Sequence, residues 1–342
     1  MYMGIDVYLS AIGCYVPETT MSAAEAVASG SYDADWAAED RIEAVAVEDG
    51  LSAPEMAVRA GRQALSRSGL RAADISLLLH ATVFRQGPEI WASPSYVGRF
   101  IVGSAAPALE IRQGCNGALA GLDLARSHLQ IPGRTAVMIT CADRFVAPLD
   151  RWRSNKGMVL GDGASAVVVS HRPGFALVRS VATRSDSTLE EMHRGDEPLV
   201  SSMQEREVID MGPRKMAFMR STTSAEVRQR CDAQVTGAVG QALADADVKM
   251  GDVAQVIVSN LGHKFLEQMY LAPLEIPLER TTWNWGRRIG HIGNSDQLLS
   301  LEYQLRTGNL HEGDIVLLVG MGVGFTWTAV VLEILRRPAW AR

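Results

Sequence analysis

Cysteine is scarce in this chain. There are four in 342 residues (Cys14, Cys115, Cys141 and Cys231), far apart and with no C-x-x-C pair. That spacing argues against a disulfide framework and against a zinc site, and it fits a reducing, cytoplasmic compartment. Long apolar runs are missing too, so no membrane span is expected. The opening Met1-Tyr2-Met3-Gly4-Ile5-Asp6 has neither the basic region nor the apolar stretch of a secretory signal. Charged residues make up 21% with a net charge of −6, and no basic cluster alternates with aromatics. A nucleic-acid surface is therefore not expected.

Hydrophobic residues, at 47%, are plentiful and suffice for a large core in one big domain or two fused ones. Val7–Gly13 reads as a first strand, and Pro54–Ser68 has helical spacing. Asp74–Ala81 (DISLLLHA) and Thr135–Cys141 (TAVMITC) are near-continuous apolar runs, the pattern of buried parallel strands. Ala108–Ile111 is a strand leading to Cys115, and Gly161–Ser170 is a turn into another strand. After a helix at Ala225–Ala246 the order recurs. Asp252–Ser259 echoes Asp74–His80, Gly293-Asn294-Ser295-Asp296 and its helix echo Gly114–Gly117 and theirs, Asp314–Val319 echoes Thr135–Cys141, and Phe325–Glu333 echoes Ala164–Ser170. Four echoes in one order predict two similar halves, 1–172 and 173–342, each built on a parallel-type sheet. Thr183–Ser221 breaks the rhythm. It is charged and Met-rich, and reads either as a cover over a substrate site or as a solvated excursion.

The stretch Ile111–Leu122 (IRQGCNGALAGL) is a strand end, a glycine turn and a helix of small residues. A cysteine there sits over the first free N–H groups of a helix, where negative charge is favoured, so Cys115 is a candidate nucleophile. The competing reading is a small core residue. If a pseudo-twofold relates the halves, the turn Arg287–Asp296 faces Cys115. His291 is then placed to take and return a proton, and Asp296 to hold the other imidazole nitrogen. Near the end, Gly320–Trp327 carries alternate glycines. With the Cys115 N–H, a backbone N–H from this loop, at Val323, would hold an oxyanion.

These features together resemble the thiolase superfamily, specifically β-ketoacyl-acyl-carrier-protein synthase III. The resemblance is carried by the Cys115 turn, Leu160-Gly161-Asp162-Gly163-Ala164, Gly293-Asn294 and the GVGFTW of Gly322–Trp327. It implies a thiolase-like five-layered αβαβα fold of two similar halves and a homodimer. It also implies an acyl group taken from coenzyme A or acyl carrier protein onto the cysteine, with no permanently bound cofactor and no metal. Trp36 corresponds to the family's adenine-stacking tryptophan.

The chain also departs from that family. Aligning Val256–Ser259 by its apolar pattern puts Asn260 where condensing members carry histidine, and His263 comes three residues late. Asn294 matches the family asparagine. The departure resembles a branch of synthase-III-like acyltransferases from antibiotic polyketide pathways with a Cys-His-Asp triad. Those transfer an intact acyl group, which here includes malonyl as a possibility, to a hydroxyl such as that of a polyketide sugar, or to a carrier thiol. The alternatives are decarboxylative condensation with Cys115, His263 and Asn294, and a degenerate subunit that supports a partner synthase.

Overall fold

The computed structural model describes residues 6–104, 106–199 and 208–342. Met1–Ile5 of the N-terminal stretch and residues 200–207 of the 183–221 segment lie outside them. The described strands are β1 (Tyr8–Tyr15), β2 (Thr20–Ser22), β3 (Ala44–Ala46), β4 (Ile75–Ala81), β5 (Ala108–Ile111), β6 (Ala136–Asp143), β7 (Gly163–Ser170), β8 (Ala176–Ser185), β9 (Val253–Ile257), β10 (Ile315–Gly322) and β11 (Thr326–Ile334). Nine of them form one sheet in the order β5-β4-β6-β7-β1-β8-β11-β10-β9, while β2 and β3 form a separate ribbon.

The order reads alike from both ends. β4 and β6 are parallel neighbours, as are their echoes β9 and β10. Antiparallel β6–β7 is matched by antiparallel β10–β11. At the middle, β1 and β8 share only two residue pairs, Tyr8 with Leu177 and Leu9 with Ala176. On either side of this short joint, one face of each half contributes to a single central core.

The period of two along each strand sorts side chains into layers. In β4, Leu77 and Leu79 point into a central core, and Leu78 points to an outer one. In β6, Val137 and Ile139 point inward and Met138 outward. In β10, Val316 and Leu318 point inward, and Leu317 and Val319 outward. The central core is filled by two helices, Gly117–Leu129 and Asp296–Thr307, through Leu119, Leu122, Leu298 and Leu301. The outer faces are covered by Ala53–Ser68 and Ser93–Ile101 on one side and Ser224–Asp245 on the other. Helix, sheet, helix, sheet, helix make five layers, and the fold is the thiolase-like one.

The continuous apolar runs of β4 and β6 follow from burial on both faces, as parallel strands require. The two central helices matter most for function. Both start at the same end of the sheet, and each is preceded by a glycine turn that carries candidate chemistry.

Candidate active site

Cys115 sits in the turn between β5 and the Gly117–Leu129 helix. Gly114 has φ +53°, and a Cβ there would lie 2.5 Å from the Val323 amide nitrogen, so only glycine fits. The turn is tied to β11 by side chains: Gln113 Nε2 donates to Thr326 Oγ1 (2.8 Å), and Asn116 Nδ2 donates to Thr328 Oγ1 (2.8 Å). Gly117 N donates to Asn294 Oδ1 (2.5 Å), which joins the first helix start to the second.

The opposite turn is clamped by Leu160–Ala164. His291 N donates to Val159 O (2.8 Å), and Gly161 N donates to His291 O (3.0 Å). A Cβ on Gly161 would collide with the Ile289 carbonyl, which explains the glycine of this motif. Held in this way, the imidazole of His291 bridges two groups. Its Nε2 lies 2.9 Å from Cys115 Sγ, and its Nδ1 lies 2.5 Å from Asp296 Oδ2. A carboxylate only accepts, so Nδ1 carries the proton and Nε2 faces the sulfur.

Asp296 is completely buried, and every lone-pair direction it uses is met. Ile292 N donates to Oδ1 (2.8 Å), Asn260 N to Oδ2 (2.7 Å) and Asn260 Nδ2 to Oδ1 (3.3 Å). It also begins its helix, where the dipole favours an anion. Burial alone would push the His291 pKa down. The Cys115 sulfur and the Asp296 carboxylate outweigh burial and hold it well above the ordinary value.

The cysteine opens on a cavity of about 480 Å³, whose walls include Cys115, His291, Val323, Met158, Met269 and Phe325. The 183–221 segment supplies Met192, His193, Lys215 and Met219. Its described residues therefore form a wall of the site rather than a solvated excursion. Of the two readings of this segment, cover or solvated excursion, its described residues follow the first, with Lys215 reaching Asn155.

Two stretches of the chain match models of known proteins. Residues 109–187 match the model for 3-oxoacyl-[acyl-carrier-protein] synthase III, and residues 243–334 match the model for its C-terminal part. The solved structure of ChlB3, described as an acyltransferase, is 36% identical, with a TM-score of 0.91, covering 98% of this chain and 99% of that one. The chain belongs to the synthase III family. A β-ketoacyl-[acyl-carrier-protein] synthase III of Geobacillus kaustophilus is 27% identical over 329 residues, which is 94% of this chain and 97% of that protein. The priming β-ketosynthase of the R1128 polyketide pathway shares the fold at 19% identity, with a TM-score of 0.76 and 97% of each chain covered. This protein is thus a synthase III-like enzyme of the thiolase superfamily.

Within that family its remaining candidates are placed differently from the condensing arrangement. Asn260, at the aligned histidine position, gives both its backbone and its side-chain N–H to Asp296 and is not part of the cavity wall. His263 packs edge-on against Trp283, with ring centroids 5.1 Å apart, and is likewise off the cavity. Asn294 spends its Oδ1 on Gly117 N. Its Nδ2 has no partner among the described residues, so in the alternative set Cys115, His263 and Asn294 it is His263 that stands apart. Trp36 lies on the Ala34–Asp40 helix beside the Tyr32–Trp152 cluster, with Lys156 Nζ 5.7 Å from its ring centre, and does not line the cavity around Cys115. Among the described residues no cluster of His, Cys, Asp or Glu could hold a metal ion. No helix there is long and apolar enough to cross a membrane.

One acidic residue escaped the sequence reading. Asp143, at the end of β6, is fully buried. Its Oδ1 accepts from Val83 N (2.8 Å) and Phe84 N (2.9 Å), while Oδ2 faces the Gly293 turn beside the Asn294 amide. Burial pushes its pKa up to about 7, against the pull of those amides and of His291. A carboxyl raised in the folded state stabilises the fold below its unfolded pKa near 3.8, and that stability is lost as pH rises through about 7. Asp143→Asn keeps the Oδ1 acceptor and removes the titration. Melting temperatures measured from pH 4 to pH 8 should fall for the parent relative to this variant. Parallel curves would show that Asp143 does not titrate in that range.

Proposed function

We propose that this enzyme is an acyltransferase that moves an acyl group, intact, from a coenzyme A or carrier-protein thioester through a thioester on Cys115 to a hydroxyl or carrier thiol. The observation that carries this reading is the unbroken line Cys115 Sγ–His291 Nε2–Asp296, with no second neutral donor aimed at the sulfur from positions 260 or 263. The likeness to ChlB3, described as an acyltransferase, supports it. An acceptor in secondary metabolism, such as the sugar hydroxyl of a glycosylated polyketide, belongs to the same proposal.

The steps follow from the charges. In the proposed cycle Cys115 reacts as a thiolate paired with imidazolium at His291, whose pKa the Cys115 sulfur and the Asp296 carboxylate raise. The sulfur attacks the donor carbonyl, and the N–H groups of Cys115 and Val323 receive the oxyanion. The intermediate collapses, the donor thiolate leaves, and His291 Nε2 protonates it. His291 is now neutral and the sulfur carries no charge. Nε2 then takes the proton of the acceptor hydroxyl, whose oxygen attacks the Cys115 thioester. When the second intermediate collapses, the acyl ester leaves and the thiolate–imidazolium pair re-forms. Asp296 holds the tautomer throughout. The donor thioester is a substrate, and no resident cofactor takes part.

Four free cysteines suit a reducing cytoplasm. The homodimer is supported by β5, which ends the sheet with an unpaired edge and an exposed Leu109. Light scattering should give twice the chain mass, and Leu109→Lys should shift it toward the monomer; a monomeric parent would remove this part of the proposal. The activity itself is tested by incubating the enzyme with a panel of acyl thioesters and reading intact mass. A gain equal to one acyl group, mapped to Cys115 and discharged by an alcohol or carrier thiol, is expected. An enzyme that never loads would instead be a supporting subunit.

A further inference from the structure

The cavity beside Cys115 is mostly apolar. Five methionines line it (Met158, Met192, Met219, Met269 and Met321), and among the described residues no aspartate or glutamate does. Methionine packs adaptably around bulky apolar groups. A volume of about 480 Å³ also lies within the range of roughly 300–1,000 Å³ typical of sites for whole small molecules. Into this wall the Gly212–Phe218 helix brings the ammonium of Lys215.

Lys215 Nζ donates to Asn155 Oδ1 (2.5 Å), a neutral acceptor. An ammonium has two further N–H bonds to give, and burying it without a counter-charge is costly. Burial pushes its pKa down, and Asp210 only partly offsets this. The other cation in the wall, Arg228, already pairs with Asp232 (3.0 Å). The neighbouring His193 is held neutral near pH 7, its pKa lowered to about 4 by burial and by the charges of Lys215 and Arg214. Lys215 is thus the positive group in the cavity for which the described wall residues offer no anion.

We propose that the acyl group carried on Cys115 has an apolar body bearing an acidic oxygen, carboxylate or phenol, and that Lys215 binds that oxygen. The inference rests on the acyl-transfer reading above. It makes Lys215 and its described neighbours Met192, His193 and Met219 the residues that select the acyl group, while the turns at Cys115 and His291 do the chemistry.

The test compares matched thioesters of N-acetylcysteamine. Hexanoyl is set against adipoyl, which adds a terminal carboxylate, and benzoyl against hydroxybenzoyl, which adds a phenol. Loading of Cys115 is followed by intact mass for the parent enzyme and for Lys215→Met. The parent should load the acid-bearing member of at least one pair about tenfold or more faster, as a hydrogen bond to a charged group implies. The pair that shows it identifies the carboxylate or the phenol. In Lys215→Met the ratio within that pair should fall to about one. Loading of Cys115 with no preference in either pair overturns this proposal and leaves acyl transfer standing. A Lys215→Met enzyme slowed equally on both members, with the ratio kept, shows a structural lysine and also overturns it. Failure of every thioester to load overturns both readings.

Discussion

Cys115→Ala is expected to abolish covalent loading by an acyl thioester while leaving the fold intact. Alanine keeps the Cβ at the start of the small-residue helix and removes only a sulfur whose contact is His291 Nε2. The contrast with the other thiols makes the expectation sharp. Burial pushes Cys14 and Cys141 up, and it pushes Cys231 up to about 11, so these three are held as thiols. Cys231 is the internal control, because it lines the same cavity as Cys115 but has no histidine on its sulfur. Intact mass and peptide mapping decide the point. Undiminished loading of the variant, mapped to Cys14, Cys141 or Cys231, would mean that the nucleophile is a different cysteine.

His291→Ala should lower acyl transfer by about two or more orders of magnitude, the usual contribution of a positioned general base. A hydroxyl is a poor nucleophile until its proton is taken, and no other imidazole reaches the Cys115 sulfur. Asp296→Asn should lose a substantial part of the activity. It removes the charge that steadies imidazolium and disturbs the acceptors of Ile292 N and Asn260 N. His263→Ala should matter less than either, since that ring packs on Trp283 away from the cavity. Rates of discharge of the preformed acyl-enzyme onto an acceptor measure all three. Equal rates for His291→Ala and the parent would contradict the assignment of the base.

Much of this was legible in the sequence because burial on two faces leaves a plain signature. The runs of β4, β6 and β10 are apolar without alternation, and their echoes across the two halves reproduce the observed strand order. The turns at Gly114 and Gly161 were legible because close backbone approach admits only glycine. Facing His291 and Asp296 toward Cys115 needed only the assumption that the halves are related. What could not be read were the contacts made through side chains from distant segments. Asn260 was placed by alignment as a stand-in for a catalytic histidine, yet its hydrogen bonds go to Asp296, thirty-six residues away in the chain. Lys215 and Met192 enter the cavity from a segment that reads from composition either as a cover or as a solvated excursion, with nothing to single out these two residues. Asp143 carries no signal in the sequence, and its burial follows only from the Gly293 turn packing over it.

The central claim is transfer without carbon–carbon bond formation. Decarboxylation leaves an enolate that needs two preplaced donors; here Asn294 keeps an unpartnered Nδ2, but Asn260, at the aligned histidine position, is committed to Asp296. The direct measurement mixes enzyme preloaded with a labelled acyl group at Cys115 with malonyl-loaded carrier protein and, separately, with an alcohol or free carrier thiol. Carbon dioxide and product mass are recorded in both reactions. The account predicts that the alcohol or thiol receives the unchanged acyl group, and that malonyl carrier yields neither carbon dioxide nor a β-ketoacyl product. Carbon dioxide released in step with a β-ketoacyl product, and stopped by His263→Ala rather than His291→Ala, would contradict it.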